Sequence, residues 1–405
     1  MKLPSYLSRG LLMVLVAAHT VASAAPDPRI AALAAQQKQP LLESLAQLVN
    51  IESGSRDREG LDRIAELIAS KLRALGGSVE LIEPGSAASP EVYRMDDTPE
   101  HIGRMVKATF TGVGSKKIML IAHMDTVYAK GALASQPFRL DGNKAFGLAI
   151  ADDKQGIAVI LHAVSMVQQL GFKEYGTLTV LINGDEEISS PGSRAMITRL
   201  AGEHDFVLSH EGAYVNDDKL SLATAGIGAA TLLVHGRPSH AGSAPERGVN
   251  AFYELAHQIL QTRDLSDPST GLKLNWTVGQ AGFNRNVIPA EAKAEADVRV
   301  TQTADFERVQ KLLAQRIKNQ LIPESVVEVS FEMRRPPLEA TAAGIALAKQ
   351  AQAIYAEMGK NLGADDKVAG GGTDARLPVH RRRPESLSVS ACKGLERIRR
   401  MPNMC

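Results

Sequence analysis

Three mostly apolar segments, each followed closely by acidic or histidine side chains, constrain the fold of this chain more than any other feature. The segments are residues 118–122, 177–183 and 206–208, and short apolar runs bounded by polar residues are typical of buried strands. Helical periodicity separates the first two, at residues 156–170. Strands that alternate with helices predict an α/β fold, with a mostly parallel sheet and helices on both of its faces.

The chain before the first of these strands is predicted to be helical. Leucine and isoleucine residues recur at helical spacing over residues 41–49 and 64–75. Gly76 and Gly77 then mark the end of the second helix. Residues 79–82 alternate like a strand and complete this first region.

From about residue 219 the pattern changes to alternating strands, which predicts a second unit. A helical pattern at 342–357 indicates that the first domain resumes near Pro336. The β-α-β-β-α-β order of the segment between them predicts an inserted ferredoxin-like α+β domain. Its predicted strands are 226–234, 275–282, 292–300 and 326–333, and its predicted helices are 250–263 and 303–320.

Composition excludes two broad classes. The chain has 405 residues, with 46 basic and 45 acidic side chains and a net charge of +1, whereas a dedicated nucleic-acid binder would carry a basic surface. No apolar run reaches the ~20 residues that a membrane-spanning helix needs. Cys392 and Cys405 are the only cysteines, so neither a disulfide framework nor a cysteine metal site is expected.

The N-terminus has the pattern of a secretory signal. Lys2 and Arg9 accompany an apolar stretch at residues 10–18, and a small-x-small site ends at Ala24. Cleavage after Ala24 or Ala25 would deliver the protein to the periplasm or the exterior. The alternative is an uncleaved anchor or a buried helix.

The polar residues behind the strands include ligand types for divalent metals. His123 follows the first strand, and the carboxylate of Asp125 can accept the second ring N–H and fix the tautomer. A single histidine is more often structural, so both roles stay open for this motif alone. Asp152 follows a strand-like segment at 148–151 and can bridge two cations; the alternative is a helix N-cap, for which Asp153 competes.

Glu186 and Glu187 form the sharpest local signal. Two adjacent carboxylates behind a buried strand repel each other and are unfavourable without a compensating cation. One can bind metal while the other acts as general base toward water; the alternative is a solvated acidic loop. Glu211 supplies a further oxygen behind the third strand, whereas its neighbour His210 faces the other way. The mixture suits zinc best, with cobalt or manganese as substitutes.

Two glycine-containing motifs lie outside these strands. His240 belongs to a Ser-His-Ala-Gly segment of the inserted domain, which a surface turn would explain equally well. Residues 370–375 form a glycine-rich loop whose backbone N–H groups can hold an anion. The loop lacks the lysine of a P-loop, so a nucleotide site is disfavoured.

Taken in order, the motifs resemble those of the co-catalytic zinc metallopeptidase family of glutamate carboxypeptidase, which also holds peptidase T, aminoacylase and the desuccinylases. The likeness runs from about residue 38 to Ala375 and includes H-M-D, A-D-D-K, D-E-E, H-E-G, S-H-A-G, D-V-R and G-G-G-T-D. Glutamate at position 211 is typical of the carboxypeptidase-like members of this family. Within the family, the chain is most similar to the periplasmic folate-cleaving glutamate carboxypeptidases.

The resemblance implies two zinc ions per subunit and a role for each site residue. Glu186 would be the general base, Asp125 would orient a ligand, and His240 would reach the partner subunit's site and stabilise an oxyanion. The implied zinc ligands are His123 and Glu211 for one ion, Glu187 for the other, and Asp152 as the bridge. The residues implied for the substrate carboxylates are Asn286, Arg299, Gly371, Gly372 and Thr373, with Lys219 and Arg335 as weaker candidates.

The same resemblance implies an exported carboxypeptidase, homodimeric through its inserted domain, that releases C-terminal glutamate from folates, folate analogues or small peptides. An aminoacylase-like enzyme acting on N-acyl amino acids is the alternative activity, and an inactive scaffold is the alternative of another class. The implied division is a signal peptide at 1–25, a catalytic domain at 26–223 and 335–375, a lid and dimerisation domain at 224–334, and an aberrant tail at 376–405.

The tail after Ala375 departs from the family, which continues with a helix, a strand and a segment carrying the second zinc's histidine. Read one nucleotide early, codons for residues 393–405 permit Gln-Gly-Pro-Gly-Ala-His-Ser-x-Asp-Ala-Glu-Tyr-Val, the family's closing motif. We therefore expect a frameshift just after Ala375. Taken as it stands, the sequence is expected to lose the last strand and helix of the catalytic domain and one zinc ligand, because His380 is too close to Asp374 to replace it.

Overall fold

The computed structural model describes residues 27–84, 92–212, 219–365, 371–376 and 385–390, with the backbone alone for 376 and 385–390. The predicted signal peptide, both cysteines and His380 lie outside these residues. The helices are α1 (Pro28–Val49), α2 (Arg58–Ala74), α3 (Gln155–Gln169), α4 (Arg194–Glu203), α5 (Ala251–Thr262), α6 (Ala304–Arg316) and α7 (Ala342–Glu357). The strands are β1 (Ser78–Ile82), β2 (Met105–Thr111), β3 (Lys117–His123), β4 (Arg139–Asp141), β5 (Lys144–Phe146), β6 (Thr177–Asn183), β7 (Phe206–His210), β8 (Lys219–Ser221), β9 (Gly226–His235), β10 (Ser239–His240), β11 (Lys273–Ala281), β12 (Val287–Ile288), β13 (Glu291–Val300), β14 (Val326–Arg335), β15 (Gly363–Asp365) and β16 (Glu385–Ser390).

Eight strands form one central sheet in the order β1-β2-β6-β3-β7-β16-β8-β15. Strand β3 runs parallel to both β6 and β7, β7 runs parallel to β16, and β8 runs parallel to β15. The pairs β1 with β2, β2 with β6 and β8 with β16 are antiparallel. Because β3, β6 and β7 run the same way, their carboxyl ends meet at one edge, where open α/β sheets place their sites.

Side chains that alternate along β3 reach two different layers of helices. Leu120 and Ala122 pack in a core with α1, α2 and α3, whereas Met119 and Ile121 pack in a core with α4. Successive side chains of a strand point to opposite faces, so the sheet is covered on both sides. The predicted α/β class is confirmed.

Several helices begin where a polar side chain caps the first free N–H groups. Asp57 caps α2 through the N–H of Gly60, and Thr341 caps α7 through the N–H of Gly344. Such caps satisfy donors that the helix itself leaves unpaired. Within the described ranges, every helix is too short or too polar to cross a membrane.

A second sheet of four antiparallel strands, in the order β11-β13-β9-β14, forms the inserted unit. Leu232 and Val234 of β9 pack with α5, and Ala230 packs with α6. Residues two apart share one face of a strand, so both helices cover the same side of this sheet. The chain passes through β9, α5, β11, β13, α6 and β14, which is the predicted ferredoxin-like order, while the domain bounds at 224–334 remain a prediction.

The two ends of the inserted unit lie beside each other at the central sheet. The N–H of Thr224 donates to the carbonyl oxygen of Leu338 at 3.0 Å, and the two residues form an isolated bridge.

A bulge lies near the end of β14, because the register of β14 against β9 shifts between Met333 and Arg335. Such a bulge re-aims the side chains that follow it, and Arg335 at the end of β14 is buried.

Two expectations about local structure are wrong. Residues 148–151 are not a strand, because Ala149 has a φ of 52° and Ile150–Lys154 forms an irregular turn; their apolar character reflects burial. The last strand is not lost either, because β16 pairs in parallel with β7. Strand pairing uses backbone groups, so this segment can pair with β7 although its sequence differs from the expected one.

Candidate metal centre

Three of the predicted ligands meet at the carboxyl edge of the central sheet. His123 ends β3, Asp152 lies in the irregular turn before α3, and Glu211 directly follows β7. The His123 Nε2 atom lies 3.2 Å from Oδ1 of Asp152 and 3.8 Å from Oε2 of Glu211. One ligand atom from each residue lies within 4.8 Å of the others. An imidazole and two carboxylates at this spacing match the donor set of a zinc site.

Asp125 braces the loops around His123. Its carboxylate accepts hydrogen bonds from the N–H groups of Glu186 (2.9 Å) and Glu187 (3.0 Å) and from the hydroxyl of Ser55 (2.8 Å). The His123 Nδ1 atom lies 3.1 Å from the main-chain oxygen of Asp125 and 3.5 Å from its Oδ1. The main-chain oxygen, rather than the predicted carboxylate, is therefore the nearer acceptor. Donation from Nδ1 leaves Nε2 for a metal.

Asp152 faces the cluster and does not cap α3. The helix begins at Gln155 with no side-chain hydrogen bond at its N-terminus, so the alternative N-cap role is not found. Gly212 leaves room for the Asp152 carboxylate, because a Cβ there would lie 3.1 Å from its Cγ.

Glu186 and Glu187 occupy a short 3₁₀ turn, Glu186–Ile188, behind β6. Glu186 is only 8% exposed, which removes the alternative of a solvated acidic loop. Its carboxylate forms a buried ion pair with Arg335, whose Nη2 also donates to the Glu186 main-chain oxygen at 2.9 Å. Glu187 lies beside the cluster but is not one of the three described residues within mutual ligand reach.

Buried carboxylates dominate the electrostatics of this edge. Burial raises the pKa of Glu187 to about 8, although His123 lowers it. Burial and the charge of Glu186 together hold the pKa of Glu211 well above its ordinary value. Burial would lower the pKa of His123, but hydrogen bonds with Asp125 and Asp152 raise it overall. A divalent cation would relieve this repulsion, so the residues fit the implied zinc.

Arg335, a weaker candidate for substrate binding, is engaged by acids of the protein itself. Besides Glu186, its Nη2 lies 3.2 Å from Oδ1 of Asp374 and donates to the Ser190 hydroxyl at 3.0 Å. Burial would lower the pKa of Arg335, but the charges of Glu186 and Asp374 raise it above its ordinary value. The guanidinium therefore stays charged, with Nη1 and Nη2 directed at oxygen atoms of the protein.

His240 and Asn286 are neighbours on the inserted unit. Strand β10 pairs with β12, and the N–H of Ala241 donates to the Asn286 carbonyl oxygen at 2.9 Å. The exposed His240 ring accepts the N–H groups of Gly242 and Ser243 at Nδ1, both at 3.1 Å. A neutral ring that accepts at Nδ1 carries its proton on Nε2. That proton suits the predicted oxyanion contact.

Arg299 and Lys219 lie on different sheets. Arg299 belongs to β13, and its Nε and Nη2 each lie 2.9 Å from a carboxylate oxygen of Asp297. Its neighbour Val298 packs with the helices, so Arg299 faces the opposite side of the inserted sheet. Lys219 begins β8 and is half-buried. Substrate binding by both residues remains a prediction.

The glycine-rich loop is tied to two sides of the site. Thr373 Oγ1 lies 3.2 Å from Ser209 Oγ, which donates to Oε1 of Glu211 at 3.5 Å. On the other side, Asp374 meets Arg335. Both side chains are thus used within the protein, so anion binding by this loop would fall to its backbone N–H groups.

Gly372→Ala is expected to cost about 1–2 kcal/mol of unfolding free energy, and Gly371→Ala less. A Cβ at Gly372 would lie 2.8 Å from Cδ1 of Ile227 and 3.1 Å from Cδ and Nη1 of Arg335, whereas a Cβ at Gly371 meets no described atom within 4 Å. Urea unfolding of the two variants measures the difference. Equal losses would contradict close packing of the loop against Arg335.

A buried polar network around Asp374 was not predicted. Asn183 Nδ2 donates to Oδ2 of Asp374 at 2.8 Å, and Ser190 donates to Oδ1. Asp185 accepts from the Ser193 hydroxyl at 2.6 Å, and burial raises its pKa to about 7 against the effect of that hydrogen bond. The D-E-E and G-G-G-T-D motifs contained the acids. Asn183 and Asp374, which meet here, are 191 positions apart in the chain, and local sequence carries no signal for such a contact.

A parallel sheet with imidazole and carboxylate ligands at its carboxyl edge, joined to an inserted α+β unit, defines a metal-dependent hydrolase. Residues 105–225 match the description "Peptidase family M28", and residues 222–325 match "Peptidase dimerisation domain". Carboxypeptidase G2 of Pseudomonas sp. (strain RS-16) is 39% identical over 391 residues, which cover 95% of this chain and 91% of that protein. The chain belongs to the M20 metallopeptidase family.

Solved structures share the fold. Human carnosine dipeptidase 1 superposes with a TM-score of 0.68 at 15% identity, over 90% of this chain and 92% of that one. An M20 family metallo-carboxypeptidase from Sulfolobus solfataricus gives 0.67 at 15% identity, over 86% and 90%. The family and enzyme class predicted from the motifs are confirmed, and the dimerisation domain favours a homodimer.

Proposed function

We propose that the protein is a dizinc carboxypeptidase that hydrolyses the amide bond before a C-terminal glutamate, in folates, folate analogues or small peptides. The observation that carries the proposal is the His123, Asp152 and Glu211 cluster with Glu186 and Glu187 beside it. Similarity to Carboxypeptidase G2 supports the carboxypeptidase activity, and the glutamate preference rests on the motif resemblance. Export to the periplasm or the exterior, with cleavage of residues 1–25, is part of the proposal.

The ligand residues surround a general base. His123 and Glu211 would hold one zinc ion and Glu187 the other, with Asp152 between them. Bound zinc would polarise the scissile carbonyl and favour attack by water at neutral pH. Glu186 would take the proton of that water and deliver it to the leaving amine.

The substrate would be held by residues of both units. Asn286 lies beside His240 on the inserted unit, so in a homodimer the two would serve one site together. Arg299 would bind the terminal carboxylate of the substrate in exchange for its contact with Asp297, and this role rests on the motif resemblance. The backbone N–H groups of residues 371–373 and the ammonium of Lys219 would provide the remaining contacts to the substrate carboxylates. We assign Arg335 to Glu186 rather than to the substrate.

Glutamate release from pteroyl-glutamate, compared with hydrolysis of N-acetyl amino acids, tests this function. We expect release from pteroyl-glutamate, its loss after chelation, and its recovery with added zinc. Faster hydrolysis of N-acetyl amino acids would instead establish the aminoacylase-like activity. A fully metal-loaded protein inactive on both substrates would establish a scaffold.

The chain is expected to retain one zinc ion per subunit tightly and a second weakly. Among the described residues, Asp152 and Glu187 alone serve the second ion, whereas zinc sites generally need three or four protein ligands. Metal analysis after extended dialysis measures the stoichiometry, with His123→Ala expected to lose the tight ion. Two tightly held ions would contradict the expectation.

Resequencing the 3′ end of the gene is the companion experiment. A restored frame after Ala375 would encode a Gly-Ala-His-Ser motif and supply a histidine for the second ion. A protein made from that frame should then retain two ions. A confirmed tail would exclude a sequencing error, and it would leave a family member truncated by a mutation in the gene.

A further inference from the structure

Arg335 is shared by two acids that come from different parts of the chain. Its Nη1 pairs with the carboxylate of Glu186, and its Nη2 lies 3.2 Å from Oδ1 of Asp374. The guanidinium is 2% exposed and Asp374 is 3% exposed. Few water molecules can therefore reach the guanidinium, and the orientation of its plane is determined by the protein atoms to which it donates.

We propose that Asp374 is a positioning residue for Glu186 and that it acts through Arg335. The inference deepens the proposed function, since it rests on Glu186 as the general base. Asp374 itself would not touch the substrate. Its carboxylate holds one end of the guanidinium, and the other end sets the direction of the Glu186 carboxylate.

Asp374 is itself fixed on both oxygens. Asn183, the last residue of β6, donates to Oδ2 at 2.8 Å, and Ser190 donates to Oδ1. The Ser190 hydroxyl also accepts from Nη2 of Arg335 at 3.0 Å. Asp374 is thus anchored to the same strand-end region that carries Glu186, which makes it a fixed reference for the guanidinium.

The backbone of Arg335 is fixed independently of Asp374. The Tyr93 hydroxyl donates to the Met333 carbonyl oxygen at 2.8 Å, and Arg334 pairs with Asp97 at 2.8 Å. These contacts hold the end of β14 against the catalytic unit. Loss of the Asp374 charge would therefore re-aim the guanidinium while its main chain stays in place.

One guanidinium balances two buried carboxylates in this arrangement. With Asp374 neutral, Nη2 loses its charged partner, and the fork can turn further toward Glu186. A base displaced by a fraction of an ångström transfers protons less effectively, because catalytic geometry is strict. The expected effect is on turnover rather than on substrate affinity.

Asp374→Asn tests the proposal kinetically. Asparagine keeps the size of the side chain and can still accept from Asn183 through its oxygen while its amide donates to the Ser190 hydroxyl, but it removes the negative charge that faces Arg335. We expect kcat to fall about 10- to 100-fold, with KM and metal content unchanged. Asp305→Asn is the control for the same substitution at a more exposed ion pair, to Arg308 at 3.1 Å on α6, and should leave kcat unchanged. A loss confined to KM would overturn the proposal.

Thermal unfolding provides a readout that does not need activity. Asp374→Asn, Glu186→Gln and the double variant are compared, first with Arg335 present and then with Arg335→Met. We expect the double variant to lose more in Tm than the two single variants together, because Arg335 then has no acid partner. This excess should vanish with Arg335→Met. Additive losses with Arg335 present would overturn the proposal.

The two readouts separate this inference from the proposed function. A protein inactive on pteroyl-glutamate that still shows the excess Tm loss would refute the function but keep the link from Asp374 to Glu186. Should Asp374→Asn fail to fold, Ser190→Ala serves instead, since it removes a hydrogen bond to both Asp374 and Arg335 and leaves every charge in place. A normal kcat in Ser190→Ala would count against the proposal.

Discussion

Glu186→Gln is expected to lower kcat about 10²- to 10⁴-fold, the usual contribution of a positioned general base, and to leave metal content unchanged. Glutamine keeps the volume of the side chain and an oxygen for the contact with Arg335. It cannot accept the proton of the attacking water. Steady-state kinetics on pteroyl-glutamate, together with metal analysis of the same preparation, measures both quantities.

Glu187→Gln is the matched control for this prediction, because the neighbouring residue carries the same functional group. We expect it to lower the content of the weaker zinc ion, since Glu187 is the proposed ligand of that ion. Glu186→Gln with reduced metal content would show that the assignments of the two glutamates are reversed. Full activity in Glu186→Gln would exclude it as the base.

Arg335→Met is expected to lower the unfolding free energy by about 3–5 kcal/mol, the usual cost of breaking a buried ion pair from one side. The substitution leaves the carboxylates of Glu186 and Asp374 buried without their cation. Chemical denaturation followed by circular dichroism measures the loss.

Arg308→Met supplies the comparison for that measurement. Arg308 is 41% exposed where it pairs with Asp305, and exposed pairs contribute about 0–1 kcal/mol. Similar losses in the two variants would contradict a special role for the buried pair. An Arg335→Met protein that loses under about 1 kcal/mol would show that its acids are satisfied without it.

The class of fold and the cluster of candidate metal ligands followed from local sequence because both depend on strand ends. Apolar runs located β3, β6 and β7, and parallel strands bring their carboxyl ends to one edge. His123 and Glu211 could therefore be placed together from the amino-acid sequence alone. The structure also brings Asp152 to His123 and Glu211, although the segment that precedes it is a turn rather than a strand. Burial alone produces the same apolar pattern in either conformation.

The surroundings of Glu186 could not be derived in this way. Its partner Arg335 lies at the end of a strand in the inserted unit, and Asp374 lies in the glycine-rich loop. The residues next to each of them in the sequence give no sign of this contact, and only long-range packing brings them together. The resemblance placed Arg335 near the substrate, whereas the structure directs its guanidinium at two acids of the protein.

The position of β16 has a consequence for how the protein is made. This strand, the last described segment, lies between β7 and β8 in the middle of the sheet. During translation, β7 therefore keeps an unpaired edge until residue 390 has left the ribosome, and the β8–β15 ribbon has no neighbour to join. Unpaired strand edges recruit other chains. Ribosomes that stall before residue 385 would therefore release chains prone to aggregate, rather than a smaller version of the enzyme.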